Sequence, residues 1–328
     1  MNTDTGSQPP SRLGVLTAFA AVYVVWGSTY LAIRMGVATL PPFLMAGVRF
    51  LIAGGLLLAW TTLRGAKLPT ARQWRNSAVV GTLLLLGGNG LVCWAELTVS
   101  SSLAALIVAA SPMWFALFEW ARPGGQRPTL VTSLGLIVGF GGVALLVLGT
   151  PHGSDAASST SVLGVLALVV ACAAWAGGSI FSKHTDKPDS PWVSTAAQML
   201  TGGVSLLAVS LLTGEPGRFH LDQVSARSFF AFLYLVVFGS WIGFGAYVWL
   251  LKNCAATKVA TYAYVNPVIA TLLGWWILDE PFTPRTALAA LVILGGVVIV
   301  QWPRSRPPAP APAPSAEALN NEGKEEHA

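Results

Sequence analysis

The chain is 328 residues long, 54% apolar and only 10% charged. A soluble globular domain carries roughly 25% charged residues, so this sequence lacks the polar surface to cover itself in water, and a mean hydropathy of +0.63 agrees. The net charge of +5 is not a nucleic-acid signal either, because the basic residues are scattered along the chain and form no single patch.

The charges punctuate long runs that contain few or none. After a short N-terminal segment, residues 1–12, ten apolar runs follow near 13–33, 42–62, 77–97, 101–121, 130–149, 162–182, 191–212, 228–250, 259–278 and 286–302. A helix needs about 20 apolar residues to cross the hydrocarbon core, and solid runs are unlike the alternating segments of a membrane β-barrel. The sequence therefore reads as an all-α membrane protein of ten transmembrane helices. The first run lacks a basic leader and a small-residue cleavage site, and is expected to stay as a span. Residues 303–328 open on the alternation Pro307-Pro308-Ala309-Pro310-Ala311-Pro312 and end in mixed charge, which predicts an extended, disordered cytoplasmic tail.

Placing the N- and C-termini in the cytoplasm leaves only Arg34, Arg49, Arg218, Arg227 and Arg285 on the outer side or within a span, with the other Lys and Arg residues inside. That asymmetry satisfies the positive-inside rule. Cys93, Cys172 and Cys254 fall in or near spans without paired spacing and read as small packing residues.

The chain repeats itself. A shift of 149 residues sets Trp26-Gly27 beside Trp175-Ala176, Arg34 beside Lys183, Arg49 beside Gln198 and Ala53-Gly54 beside Gly202-Gly203. A shift of 155 sets Trp94 beside Trp249 and Ser111-Pro112 beside Asn266-Pro267, and one of 154 sets Gly141-Gly142-Val143 beside Gly295-Gly296-Val297. Residues 13–150 and 151–302 thus form two five-helix units. Five is odd, so the second unit enters the membrane from the opposite face and the repeats are inverted, an arrangement used by many secondary transporters.

Pro112 and Pro267 lie near the middle of spans 4 and 9, where each frees a carbonyl and is expected to break its helix beside a central cavity. The polar and aromatic groups at similar depth are Trp26, Ser28 and Thr29 in span 1, Asn89 in span 3, Ser111 in span 4, Trp175 and Ser179 in span 6, and Tyr262 and Asn266 in span 9. Tyr262 and Asn266 are spaced i, i+4 and share a helix face. Trp26, Thr29, Asn89, Ser111, Trp175, Tyr262 and Asn266 form the expected substrate-binding set, set against the plainer possibilities of interfacial aromatics and hydroxyls bonded to their own helices.

Charged groups inside a span cost about 2.5–3.5 kcal/mol at a helix centre. Arg34, Arg49 and Glu96 all fall in the outer half, and pairing of Glu96 with Arg34 or Arg49 is expected to gate the outer side or to carry a proton; a static interfacial pair is the alternative. Glu119 reads as interfacial.

These segments together, Trp26-Gly27-Ser28-Thr29-Tyr30 with Arg34-Met35-Gly36-Val37, Pro41-Pro42, Gly47-Val48-Arg49-Phe50, Gly88-Asn89-Gly90 with Ala95-Glu96, and Thr261-Tyr262-Ala263-Tyr264-Val265-Asn266-Pro267, resemble the EamA family of the drug/metabolite transporter superfamily. The likeness runs from about residue 13 to 302. It implies ten spans, inverted five-helix repeats, cytoplasmic termini and export of small metabolites or drugs across the bacterial inner membrane. One departure stands out: Glu280-Pro281 has no acidic counterpart in the loop from Arg122 to Pro128, which puts a symmetric acidic pair in doubt.

The expected function is secondary-active export of a small amino-acid-like or amphipathic, drug-like compound by alternating access. No phosphate-binding G-x-x-x-x-G-K-[ST] loop is present, so coupling is to a gradient, with protons the first choice, or absent. A passive channel or a lipid flippase is the main alternative. A membrane-embedded transferase is remote, because His152, His184, His220 and His327 fall in loops or the tail and the acidic residues are scattered. Neither a catalytic site, a metal nor a cofactor is expected. The expected partners are the small-molecule substrate, the bilayer and protons.

Overall fold

The computed structural model describes residues 11–122, 127–148, 161–254, 259 and 261–301. The expected tail 303–328, nearly all of the N-terminal segment and the middle of the loop from Arg122 to Pro128 lie outside them. Among the described residues the secondary structure is helical. The long helices are labelled α1 Arg12–Gly36, α2 Pro42–Leu63, α3 Ala71–Ala95, α4 Ser101–Ala121, α5 Leu130–Leu148, α6 Val162–Lys183, α7 Pro191–Leu212, α8 Ala226–Leu250, α9 Tyr262–Leu278 and α10 Pro284–Gln301. Eight of them are long and apolar enough to cross a membrane by length and composition, while the apolar stretches of α5 and α9, Leu130–Leu145 and Tyr262–Leu278, are shorter. α9 is described only from Tyr262, three residues later than the run that begins near 259 suggests.

Local chemistry sets where the helices begin. Ser11 caps α1 by accepting from Gly14 N at 3.1 Å, and Ser161 caps α6 by accepting from Gly164 N at 3.5 Å. Pro42 and Pro191, 149 residues apart, both stand at the first helical position of α2 and α7, where the missing N–H costs nothing. Thr70 and Ser225, 155 residues apart, cap α3 and α8. Thr70 forms a full capping box with Gln73, which starts α3 six residues ahead of the apolar run and carries the helix through Arg72 and Arg75. The starts of α2 and α7 and of α3 and α8 therefore obey the offsets of the sequence repeat, and those of α1 and α6 come within one residue of them.

Packing follows the same exchange of the first five helices for the last five. α2 lies against α7 and α5 against α10; α1 packs on α8 and α9 as α6 packs on α3 and α4; α3 meets α7 as α8 meets α2. Close approach is a matter of small residues. A Cβ on Gly296 would stand 2.5 Å from the backbone of Gly139, so α5 and α10 touch main chain to main chain there. Every long helix also exposes large apolar side chains, for example Leu16, Leu56, Ile137, Val204, Trp276 and Leu291. Helices apolar all round belong in lipid.

Two features interrupt the α-helical ladder. α3 and α8 each contain a π-helical stretch, Thr82–Gly90 and Leu235–Ile242, at corresponding places in the two halves. α4 is discontinuous: the segment Ser101–Val108 ends in a turn at Ala109 and Ala110, and Ser111–Ala121 restarts with Pro112 at its beginning. The expected break at Pro267 is absent, because α9 runs unbroken from Tyr262 to Leu278 with Pro267 inside it. A proline this near a helix start removes one early hydrogen bond without severing the ladder beyond it.

Candidate functional site: a central cavity between the two halves

A cavity of about 530 Å³ lies between the two sets of helices. Its wall takes Trp26, Thr29, Tyr30 and Ile33 from α1, Arg49 and Phe50 from α2, Leu85, Gly88, Asn89 and Val92 from α3, and Val108, Ser111, Pro112 and Phe115 from α4. The second half contributes Cys172 and Trp175 from α6, Gly239, Phe244 and Tyr247 from α8, Tyr262, Asn266 and Pro267 from α9, and Gln301 from α10. All seven residues of the expected binding set line this one space. Sequence reasoning missed five wall residues: Tyr30 and Phe50, although both stand in the segments that carry the family resemblance, and Phe115, Phe244 and Tyr247, which have no feature separating them from ordinary apolar helix residues. Ser28 and Ser179 face elsewhere: Ser28 shares a 2.6 Å hydrogen bond with the Tyr234 hydroxyl, and Ser179 donates to Trp175 O at 2.7 Å.

The wall is built for an apolar body with a few polar contacts. Trp26 stands 5.0 Å from Tyr247, 5.2 Å from Tyr262 and 5.4 Å from Phe244, ring centre to ring centre. A Cβ on Gly243 would come 2.4 Å from Trp26 Nε1, so glycine at that position is what lets the indole sit in the wall. The two aliphatic hydroxyls are spent locally, Thr29 donating to Trp26 O at 2.6 Å and Ser111 to Val108 O at 2.6 Å. They keep lone pairs to offer and no proton. Asn266 is buried with its Oδ1 unpartnered, and Cys93 donates weakly to Asn89 Oδ1 at 3.7 Å.

Arg49 is 3% exposed. Its Nε donates to Ser240 Oγ at 2.8 Å, its guanidinium carbon lies 4.7 Å from the Phe50 ring centre, and Nη1 has no partner. Ser240 sits in the π-helical stretch of α8 and donates its own proton back to Leu235 O at 3.2 Å. The expected pairing of Glu96 with Arg34 or Arg49 is not formed. Arg34 Nη1 donates to the main-chain carbonyl of Glu96, not to its carboxylate, and both carboxylate oxygens of Glu96 are buried without a hydrogen-bond partner. The cause is geometric: Glu96 follows the last turn of α3, where its carbonyl is free of the helical ladder and available to a donor. Neither Arg34 nor Glu96 lines the cavity.

Hydrogen bonds close the bundle at one end. Glu280, after α9, accepts from Ser101 N and Ser101 Oγ at 2.8 Å each and from Ser102 N at 3.0 Å and Ser102 Oγ, capping the start of α4. Glu215, after α7, accepts from Phe43 N at 3.2 Å and Leu44 N at 2.7 Å, capping the start of α2. Ser228 Oγ donates to Met35 O at 2.8 Å, and Arg227 Nη2 to Ile277 O at 3.3 Å. Each of these contacts joins a residue of the first half, or of α9, to a loop or helix start of the second. Glu215 thus plays the same capping part as Glu280 from another loop of the second half, and is not its counterpart under the repeat. None of these closing residues lines the cavity, which instead reaches toward the opposite end at Phe115, Tyr247, Val259 and Gln301.

A small-molecule cavity between two sets of apolar, largely membrane-length helices marks a membrane protein with an internal small-molecule site. The chain matches the model of the EamA-like transporter family twice, over residues 12–148 and 162–302, and it belongs to that family. It is 38% identical over 290 residues to the uncharacterized inner membrane transporter YedA of Escherichia coli (strain K12), spanning 88% of this chain and 90% of that one. It is 29% identical over 293 residues to the transporter YvbV of Bacillus subtilis (strain 168), spanning 89% and 92%. A solved crystal structure at 22% identity shares the fold with a TM-score of 0.58, covering 90% of this chain and 98% of its own. The protein is a membrane transporter by family, and a multi-pass inner-membrane protein, the location its YedA relative's name carries.

Proposed function

We propose that the protein is a secondary-active exporter that moves a small amphipathic metabolite by alternating access. In this reading ten helices span the membrane as two inverted five-helix repeats, residues 13–150 and 151–302, with both termini in the cytoplasm. The observation that carries it is the cavity between the halves, closed at one end by hydrogen bonds that cross from one half to the other and extending toward the other end. The matched helix caps, matched π-helical stretches and exchanged packing support the repeat. The closed end bears Arg34, Arg218, Arg227 and Arg285, and the other end bears Arg12, Arg64, Lys67, Arg72, Arg75 and Lys183. The positive-inside rule then puts the closed end outside.

Proton coupling is assigned to Glu96, whose carboxylate is fully buried with both oxygens unpartnered. A buried carboxylate without a partner is far cheaper neutral than ionised, so it is suited to carry a proton in one conformation and release it in another. The test is flux from proteoliposomes loaded with candidate metabolites, with and without an imposed pH gradient. Saturable efflux accelerated by an inward proton gradient is expected. Flux indifferent to the gradient removes the antiport assignment, and flux that never saturates removes the carrier.

A further inference from the structure

The cavity has one charged wall. Among the described residues that line it, Arg49 alone carries a charge, with no Asp, Glu, Lys or His beside it. Among the described residues the ion pair present is Glu119 with Arg122, at 2.5 Å and far along the chain. Arg49 therefore faces the cavity as a buried cation that no carboxylate neutralises. An unpaired charge in such surroundings is costly unless something brings it a counter-charge.

The guanidinium is also held in place rather than left to wander. Ser240 accepts from Nε at 2.8 Å, the Phe50 ring packs against the guanidinium at 4.7 Å, and Gly239 leaves room for Nη2, since a Cβ there would stand 2.9 Å from it. Nη1 remains unpartnered. A planar fork fixed by one nitrogen and free at another suits a carboxylate, whose two oxygens match its donors. The same cavity is lined by the rings of Trp26, Tyr247 and Tyr262 and by Asn266, whose Oδ1 is unpartnered and can only accept.

We infer that the cavity selects organic carboxylates with an apolar or aromatic body, the carboxylate seated on Arg49 and the body on the Trp26, Tyr247 and Tyr262 rings. The inference rests on the reading of the cavity as the substrate site and narrows it to one charge class. Nothing acidic in the described wall receives an ammonium group, so cationic amphipaths are poor ligands. An uncharged amide can donate to Asn266 yet forgoes the pairing with Arg49, and it falls between.

The experiment is equilibrium binding to the purified full chain in detergent, using three compounds of one shape: 3-phenylpropionate, 3-phenylpropionamide and 3-phenylpropylamine. The carboxylate is expected to bind at least tenfold more tightly than either other compound, and Arg49→Gln to erase the difference. Equal or tighter binding of the amide or amine to the unaltered protein, or failure of the carboxylate to bind, overturns the inference, and that comparison needs no variant to fold. Persistence of the preference in a folded Arg49→Gln protein overturns it too. Flux of the same compounds in vesicles separates this claim from the one beneath it. Selective binding without flux sinks the reading of the cavity as the site of the transported substrate and keeps the charge class, whereas saturable flux without selectivity does the reverse.

Discussion

Glu280 satisfies four donors at the start of α4 with one carboxylate, and those donors would otherwise meet neither water nor a helical partner. Glu280→Gln keeps the shape but loses the charge and one acceptor. Hydrogen bonds to charged groups contribute about 1.5–3 kcal/mol, so losing part of the set is expected to weaken closure of that end by about 1–2 kcal/mol, a change near tenfold in the ratio of closed to open forms. Alkylation of a cysteine placed at buried Val99, at that end, should then speed up severalfold; an unchanged rate would make the clamp decorative. Glu96 asks a different question, because its oxygens have no hydrogen-bond partner. Glu96→Gln is expected to flatten the pH dependence of flux while leaving binding of a neutral probe intact, and an unaltered pH profile would leave that carboxylate structural. Both readings of these residues rest on contacts far apart in the chain. The depth of Glu96 was legible from sequence, but its relation to Arg34 was not, since nothing in a sequence distinguishes a bond to a side chain from one to a carbonyl. The Glu215 and Glu280 clamps were equally hidden, because each joins segments more than 170 residues apart.

At the level of the helices, the most informative elements are the π-helical stretches of α3 and α8. Such turns widen the backbone and often mark functional sites, and here they bring Leu85, Gly88, Asn89 and Gly239 to the cavity and Ser240 to Arg49. Helix existence was readable from apolar runs and charges, and so were most boundaries. The π stretches were not, because their only outward sign is a cluster of glycines that many membrane helices share. The two prolines teach the same lesson: Ser111-Pro112 and Asn266-Pro267 match in sequence, yet α4 restarts at the first pair and α9 continues through the second. Gly243 in α8 offers a direct test of how tightly these elements hold the aromatic wall. In Gly243→Ala the new methyl must displace Trp26, a strain of about 1–3 kcal/mol by analogy with overpacked cores. Probe affinity should fall by about tenfold or more while the protein still extracts as a folded monodisperse species, and unaltered affinity would take Trp26 out of the site.

Across the whole molecule, the seven residues picked from sequence for depth and polarity converge on one cavity. Internal symmetry explains why: corresponding helices of the two halves line the same axis, so polar groups at matched depth meet there. Arg49, read as part of a gate or a coupling site, lies in the cavity wall with its partner on α8, a placement that requires knowing which face of α2 turns inward. Phe115, Phe244 and Tyr247 stayed invisible for the same reason. A bundle closed at one end by interchangeable hydrogen bonds, and built from two packed halves, is expected to possess a second state in which that end opens and the other closes. The most direct measurement is the distance between spin labels at exposed Leu97 and Phe282, on either side of the Glu280 clamp, in a chain whose partly exposed Cys254 has been changed to Ser. The account predicts two distances in the reconstituted protein, with the longer one growing in Glu280→Gln and with the opposite end narrowing in step. A single distance, the same in both proteins and at every pH, would contradict alternating access.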